Sequence, residues 1–143
     1  MKHLDDMLRL ALEAREKAYA PYSRFRVGAC LRTASGRLYA GCNVENASYP
    51  EGQCAETSAL GALVLGGDRE IVEVLVVAEG AEPCSPCGGC RQRLMELATP
   101  QTPVHMVSTT GKRKTMTLGE LLPLAFDGHL LSLRLPGNET DTP

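Results

Sequence analysis

The sequence predicts a single α/β domain, a three-layer αβα sandwich with one mixed five-stranded sheet. Three observations lead to this fold class. The 143 residues suffice for one hydrophobic core and are too few for two ordinary domains. After an initial hairpin, strand and helix patterns alternate, which is typical of helices packed on both faces of one sheet. The β-branched run at 71–78 fits a central strand that is buried on both faces.

The first part of the chain predicts a helix followed by a hairpin. Apolar residues at 4–18 recur at helical spacing with charged residues between them, and Pro21 ends the helix because proline clashes with the preceding turn. Residues 27–33 and 37–44 are rich in apolar and small side chains. A turn signal at Gly36 separates them, so we expect two antiparallel strands.

The remaining elements follow from composition and from turn residues. Residues 54–65 carry almost no charge and are followed by two glycines, which predicts a buried helix. The other predicted elements are a helix at 88–98, strands at 104–108 and 114–117, a short helix at 119–124 and a frayed polar tail at 138–143.

The composition is that of an ordinary soluble globular protein, with 43% hydrophobic residues, 22% charged residues and a formal net charge of -2. Asp5 and Asp6 stand where a signal peptide needs an apolar run, and no stretch approaches the ~20 apolar residues of a membrane span. We therefore expect a cytoplasmic protein that binds no membrane. The basic run Lys112-Arg113-Lys114 is too short for a phosphate-binding stripe, so we expect no nucleic-acid partner.

The six cysteines divide into isolated and clustered ones. Cys30 and Cys42 lie within predicted strands, where an isolated cysteine is usually a small buried side chain. The clustered ones occur in Cys54-Ala55-Glu56 and in Pro86-Cys87-Gly88-Gly89-Cys90, and each of these stretches opens a predicted helix. In a reducing compartment such clusters indicate a metal site or a reactive thiol rather than disulfides.

Three cysteines and one further carboxylate suit a catalytic zinc ion. Cys87 and Cys90 are three residues apart and share a helix face, while Cys54 supplies a third sulfur from a neighbouring helix. Three protein ligands leave a fourth position for water, and helix N-terminal ends favour thiolates. Glu56 points elsewhere than Cys54 and can approach the open position as general base and general acid.

Other metal sites are compatible with the same cysteines. Cys84, Cys87 and Cys90 form C-x-x-C-x-x-C, which is similar to the start of an iron-sulfur motif, although the next expected cysteine is missing. Cys84 could also complete a closed structural zinc site in a non-catalytic interaction domain. Neither alternative gives Glu56 a role.

A polar loop at 43–50 precedes Cys54. Its two amides, its carboxylate and its phenol suit either a capped loop with satisfied side chains or a group that binds sugar hydroxyls.

Together these stretches resemble a known family. The chain is similar over nearly its whole length to the small homotetrameric zinc-dependent cytidine deaminases. The stretches that carry the similarity are the two cysteine stretches with the following Arg91-Gln92, the upstream Ala20-Pro21-Tyr22-Ser23-Arg24-Phe25 and Gly41-Cys42-Asn43-Val44-Glu45-Asn46, and the downstream Glu120-Leu121-Leu122-Pro123. The resemblance implies hydrolytic deamination of cytidine and deoxycytidine to uridine and deoxyuridine with release of ammonia, in pyrimidine salvage. It also implies one Zn²⁺ per subunit.

The resemblance further implies a role for each matching residue. Cys54, Cys87 and Cys90 would bind zinc, and Glu56 would carry protons. The expected substrate contacts are Phe25 on the base, Asn43 and Glu45 on the ribose 3′-hydroxyl, the backbone of Ala55 on the pyrimidine, and Ala47, Tyr49 and Phe126 from a neighbouring subunit of the homotetramer with shared active sites.

One position departs from the family pattern. The family usually has arginine directly after C-A-E, where it can hydrogen-bond the ligand sulfurs, but this chain has Thr57. Arg91 or the two helix dipoles would then offset the thiolate charge. Blasticidin S deaminases also tolerate another residue there, so an alternative substrate is blasticidin S or a modified or N4-substituted cytosine nucleoside.

Overall fold

The computed structural model describes residues 2–132, and the polar tail predicted at 138–143 lies outside the described residues. The elements in chain order are α1 (Lys2–Glu16), β1 (Val27–Thr33), β2 (Leu38–Cys42), a 3₁₀ turn (Tyr49–Glu51), α2 (Ala55–Leu65), β3 (Ile71–Ala78), α3 (Gly88–Leu97), β4 (Pro103–Ser108), β5 (Arg113–Thr117), α4 (Leu118–Leu121) and α5 (Gly128–Ser132).

The five strands form one mixed sheet in the order β2-β1-β3-β4-β5. β1 pairs antiparallel with both β2 and β3, β3 pairs parallel with β4, and β4 pairs antiparallel with β5. The predicted hairpin and the central position of the β-branched strand β3 are therefore confirmed. In β3 seven of the eight residues are buried, as expected for a strand covered on both faces.

Helices cover both faces of the sheet, which confirms the predicted three layers. On one face α1 packs Met7 and Ala11 against Leu75 and Val77 of β3. On the other face the buried residues of α2, α3 and α4 pack against the remaining side chains of β1, β3 and β4. The alternation of side chains along each strand separates these two cores.

Two glycines permit the closest contacts between layers. A Cβ at Gly28 of β1 would lie 1.9 Å from the carbonyl oxygen of Ala11 in α1. A Cβ at Gly41 of β2 would lie 2.4 Å from the amide nitrogen of Ala59 in α2. The backbones of both helices thus pack directly against the backbone of the sheet. The contact at Gly41 fixes the position of the first turn of α2.

The C-terminal helices differ from the sequence prediction. The predicted helix at 119–124 ends at Leu121, and Thr117 caps its start through a reciprocal capping box with Glu120. Pro123 follows, and Leu124 has a φ of 51°, a left-handed conformation that ends helical geometry. The sequence analysis did not predict α5.

A polar cluster centred on the buried Glu73 lies on the α1 face of the sheet, and its other members are His3, Arg32, His105 and Thr115. Glu73 is only 4% exposed. Its Oε1 accepts hydrogen bonds from Arg32 Nε and Nη2, both at 2.9 Å, and lies 3.1 Å from His3 Nε2. Its Oε2 lies 2.6 Å from His105 Nε2, while His105 Nδ1 lies 2.9 Å from Thr115 Oγ1. This polar cluster ties the first turn of α1 to the middle of the sheet.

Within residues 2–132, none of the helices combines the length and the apolar character that crossing a membrane requires.

Candidate metal centre and active site

Three cysteine sulfurs converge where α2 and α3 begin. Cys54 is the N-cap residue of α2, Cys87 is the N-cap residue of α3, and Cys90 lies in the first turn of α3. Their Sγ atoms all lie within 4.8 Å of one another, with 3.7 Å between those of Cys54 and Cys87. Within the described residues this is the one group of three ligand-type side chains that is close enough to hold a metal ion.

The donor set fits a zinc ion. Three sulfurs at this spacing can bind one tetrahedral cation and leave a fourth position. Burial raises the pKa of the Cys54 and Cys90 thiols, whereas for Cys87 burial is outweighed by hydrogen bonds from Cys90 and Cys54, which lower its pKa. Without a cation only the Cys87 thiol has a lowered pKa, and the charge of a bound dication would favour the thiolate form of all three cysteines.

Cys84 is not a member of this group of sulfurs. Its Sγ contacts the carbonyl oxygen of Ser85, and burial, with Glu56 and Cys87 nearby, raises its pKa. The sulfur positions therefore favour three ligands rather than a closed four-cysteine site or an iron-sulfur motif.

Glu56 lies in the first turn of α2 and is 4% exposed. Burial raises the pKa of its carboxyl, and its own backbone amide and Cys90 offset part of this rise. A buried carboxyl beside the three sulfurs can hold or release a proton within reach of a small molecule bound there.

A cavity of about 340 Å³ opens in front of the sulfurs, a volume within the range typical of small-molecule sites. It brings together most of the residues predicted for the site. Its lining includes Phe25, Asn43, Glu45, Tyr49, Cys54, Ala55, Glu56 and Cys87.

Backbone bridges fold the predicted polar loop against the start of α2. Val44 exchanges two hydrogen bonds with Gln53, from Val44 N to Gln53 O at 2.9 Å and from Gln53 N to Val44 O at 2.8 Å. Tyr19 in turn donates to Asn43 O at 3.0 Å and accepts from Glu45 N at 2.8 Å. The loop is thus held between the end of α1 and Cys54, with Asn43 and Glu45 facing the cavity.

The Asn43 and Glu45 side chains hold the segment that carries Phe25. Asn43 Oδ1 accepts from Val27 N, and Asn43 Nδ2 donates to Phe25 O, both at 2.8 Å. Glu45 Oε1 accepts from the backbone amides of Tyr22 and Ser23 at 3.0 and 3.1 Å. Of the two interpretations of the polar loop, the capped loop is thereby present in the structure, and each side chain keeps free hydrogen-bonding positions for a ligand.

Two of the predicted substrate contacts are not part of the cavity wall. Ala47 and Phe126 do not line it, and Phe126 is 54% exposed while its carbonyl accepts a 2.7 Å hydrogen bond from Gln92 of α3. Tyr49 lies at the rim, 76% exposed, with its ring 5.8 Å from the ring of Tyr22.

Thr57, at the position of the family's arginine, faces the sulfurs, whereas Arg91 does not bond to them. Thr57 Oγ1 lies 3.9 Å from Cys90 Sγ. All the hydrogen bonds described for Arg91 go to oxygen atoms, at 2.8 Å to the carbonyls of Pro86 and Leu121 and at 3.1 Å to Ser85 Oγ. Arg91 thus ties the start of α3 to the end of α4.

Several residues that line the cavity or its rim were not predicted from the sequence. Gln53 and Ser85 both line the cavity, and each directly precedes a residue or motif that we had singled out. Tyr22 and Ser23 line an adjoining depression that shares Glu45 and Tyr49 with the cavity. Their position within a motif that already contained Phe25 was the available signal.

Comparison with known proteins agrees with this geometry. Residues 1–106 match the family model described as the cytidine and deoxycytidylate deaminase zinc-binding region. A cytidine deaminase of Halalkalibacterium halodurans is 44% identical over 120 residues, which cover 84% of this chain and 91% of that protein. A cytidine deaminase of Sporosarcina psychrophila is 40% identical over 84% of this chain and 88% of that protein.

The fold matches solved structures as well. The crystal structure of cytidine deaminase from Burkholderia pseudomallei superposes with a TM-score of 0.82 at 44% identity, covering 85% of this chain and 98% of that one. That of cytidine deaminase from Mycobacterium tuberculosis gives 0.74 at 36% identity, covering 86% and 96%. The family model, the relatives and the three-cysteine centre together show that this chain belongs to the cytidine deaminase family.

Proposed function

We propose that this protein is a zinc-dependent cytidine deaminase, which adds water at C4 of cytidine or deoxycytidine and releases the amino group as ammonia. The observation that carries this conclusion is the three-sulfur group of Cys54, Cys87 and Cys90 beside the buried Glu56, at the end of a cavity of nucleoside size. A purely structural zinc site would need neither the cavity nor the carboxylate.

Cys54, Cys87 and Cys90 are proposed to hold one zinc ion, which when bound supplies Lewis-acid activation of water. Glu56 is the proposed proton carrier. It accepts a proton from the attacking water and delivers it to the ring nitrogen or to the leaving amine, so that one carboxyl serves as base and then as acid. Its position on the cavity wall and its burial support this role.

The cavity wall supports the substrate contacts that the family resemblance implies. Phe25 is proposed to pack on the base and the backbone of Ala55 to contact the pyrimidine. Asn43 and Glu45 are proposed to bind the ribose 3′-hydroxyl, because each retains a free donor or acceptor next to Phe25 after its contacts to the chain are counted.

We also propose a homotetramer with shared active sites, working in the cytoplasm in pyrimidine salvage. The exposure of Tyr49, Leu124 and Phe126 supports it, because a contact with another subunit would cover these large apolar side chains. In this arrangement Ala47, Tyr49 and Phe126 reach a neighbouring subunit's cavity. One domain of the predicted kind carries the activity in each subunit.

The alternative substrates are not favoured. The relatives compared above are named cytidine deaminases, and none of the contacts described at Thr57 calls for a larger 4-amino substituent. The free positions on Asn43 and Glu45 suit an unmodified ribose.

The test is an ultraviolet assay of cytidine deamination with and without a chelator, on wild type and on Glu56→Gln. We expect the chelator to abolish turnover and Glu56→Gln to lower kcat by about 100-fold or more while zinc content is retained. The matched control is Glu70→Gln, an exposed carboxylate next to the start of β3, at the opposite end of that strand from the metal centre. Full activity of the Glu56 variant would refute the proposed mechanism, and a wild type that deaminates no cytosine nucleoside would refute the function.

A further inference from the structure

The hydroxyl of Ser23 lies between two groups proposed to hold the substrate. It donates a hydrogen bond to Glu45 Oε2 and accepts one from the backbone amide of Phe25 at 3.0 Å. The Ser23 amide also donates to Glu45 Oε1 at 3.1 Å. Ser23 therefore contacts both oxygens of the carboxylate and the residue proposed to pack on the base.

These contacts leave Glu45 with little freedom. A carboxylate offers about four acceptor positions, and the amides of Tyr22 and Ser23 and the hydroxyl of Ser23 take three of them. The Ser23 hydroxyl and, after it, the Ser23 amide hold the pKa of Glu45 below its usual range, so the group is a pure acceptor at neutral pH. One acceptor position of the carboxylate then remains, and it suits one donating hydroxyl.

The same bonds also hold the neighbouring backbone. Arg24, between Ser23 and Phe25, has a φ of 60°, a left-handed conformation that is unfavourable for a residue with a side chain. The backbone bond from Arg24 N to Ala20 O at 2.9 Å and the Ser23 bond to Phe25 N close this turn from both sides. Because the backbone bond to Ala20 O does not involve the Ser23 hydroxyl, the turn that brings Phe25 to the cavity wall keeps this bond in a Ser23→Ala variant.

We propose that Ser23 is a positioning residue for sugar recognition, whose hydroxyl orients the Glu45 carboxylate toward the 3′-hydroxyl of a cytosine nucleoside. The inference rests on the proposed function. It adds to it a residue that touches no substrate itself and acts through Glu45.

The test compares 2′-deoxycytidine with 2′,3′-dideoxycytidine, which differ only in the 3′-hydroxyl, on the purified holoenzyme. We expect Ser23→Ala to raise KM for 2′-deoxycytidine by about tenfold or more, the loss typical of a hydrogen bond to a charged group. The kcat stays within about threefold of wild type, and KM for the dideoxy substrate changes by less than about threefold. Ser23→Thr, which keeps the hydroxyl, restores the wild-type ratio between the two substrates.

A double-mutant cycle tests whether Ser23 acts on KM through Glu45. On a Glu45→Gln background, Ser23→Ala should change KM by less than about twofold, because the group through which it acts has been altered. Ser48→Ala, a nearby exposed serine whose hydroxyl caps nothing, serves as the control and should match wild type.

Two results would overturn the inference: an equal loss on both substrates, which indicates a general disturbance of the loop, or an undiminished effect of Ser23→Ala on the Glu45→Gln background. A wild type inactive on every cytosine nucleoside would instead refute the proposed function, so the two failures are distinguishable.

Discussion

Replacing Glu73 by glutamine should destabilise the fold through the polar cluster on the α1 face. Glu73 is buried, and its two oxygens serve Arg32, His3 and His105. Glutamine keeps one acceptor oxygen but presents an amide group to partners that are themselves donors. If the oxygen stays with Arg32, the amide faces His105, which must then accept at Nε2 and donate from Nδ1 to Thr115.

The magnitude follows from the bonds that change. His105 can adapt by changing tautomer, so the main loss is the charge assistance of the bonds from Arg32 and His3. Hydrogen bonds to a charged group contribute about 1.5–3 kcal/mol, and Arg32 remains partly exposed, which screens its share. We expect a loss of about 2–3 kcal/mol in the free energy of unfolding at pH 7. For a chain of this length that corresponds to a fall in Tm of roughly 6–12 °C.

The effect should depend on pH. Burial alone would raise the pKa of Glu73, but the hydrogen bonds from His105 and Arg32 outweigh it and lower the pKa below its usual value of 4.5. The stabilisation is therefore fully present above about pH 4.5 and is lost as the pH falls through the lowered pKa of the folded state. The difference between wild type and Glu73→Gln should thus be largest near neutrality and shrink below pH 4.5.

Urea unfolding followed by circular dichroism between pH 3 and pH 8 measures both effects. The control is Glu82→Gln, which removes a 2.8 Å ion pair with Lys112 in which both side chains are more than half exposed. A surface pair contributes about 0–1 kcal/mol, so this variant should stay near wild type. A Glu73→Gln variant as stable as wild type at pH 7, or equally destabilised at every pH, would refute the account of the polar cluster.

Two further predictions concern the packing around the sheet. Gly41→Ala would place a Cβ 2.4 Å from Ala59 N, so we expect it to lower the free energy of unfolding, measured in urea, by about 3 kcal/mol or more. The displacement of α2 should also release zinc. A variant as stable as wild type would contradict the close contact. Burial raises the pKa of the Cys30 thiol to about 12. Iodoacetamide at pH 8 should therefore alkylate Cys30 only after denaturation, which peptide mass spectrometry would detect. Rapid labelling of the native protein would contradict the burial of Cys30 in the sheet.

The parts of the fold that were predictable are those with a strong local pattern. The hairpin had a turn signal at Gly36, which indeed has a φ of 87°, and β3 had an unbroken β-branched run. The short elements near the C-terminus were less accurate. There the Thr117–Glu120 capping box sets the start of α4, a T-x-x-E pattern that the prediction did not use, and no local pattern marks the left-handed Leu124 beyond its end.

The residues of the candidate site also differ in how well the sequence alone predicts them. Cys54, Cys87 and Cys90 were recognisable because metal ligands impose a residue type and a spacing, and the structure brings their sulfurs together. Ser23 was not singled out, because its contacts join residues 22 and 23 to residue 45 across two elements. Its position in the motif that contains Phe25 was a signal, but a hydrogen bond between distant parts of the chain leaves no periodicity or spacing that would assign it this role.

The charge at the sulfurs follows from which donors surround them. The hydrogen-bond partners described for the three sulfurs are the Thr57 hydroxyl, the Glu56 carboxyl, the backbone of Cys90 and the neighbouring thiols, and none of them is a cationic side chain. The guanidinium group of Arg91 donates its hydrogen bonds to oxygen atoms. Three thiolates holding a dication would keep a formal charge of about -1, and a bound zinc ion would then be a weaker Lewis acid. More of the activation of water would then fall to the proposed proton carrier, which is the physical reason to expect a large loss from Glu56→Gln.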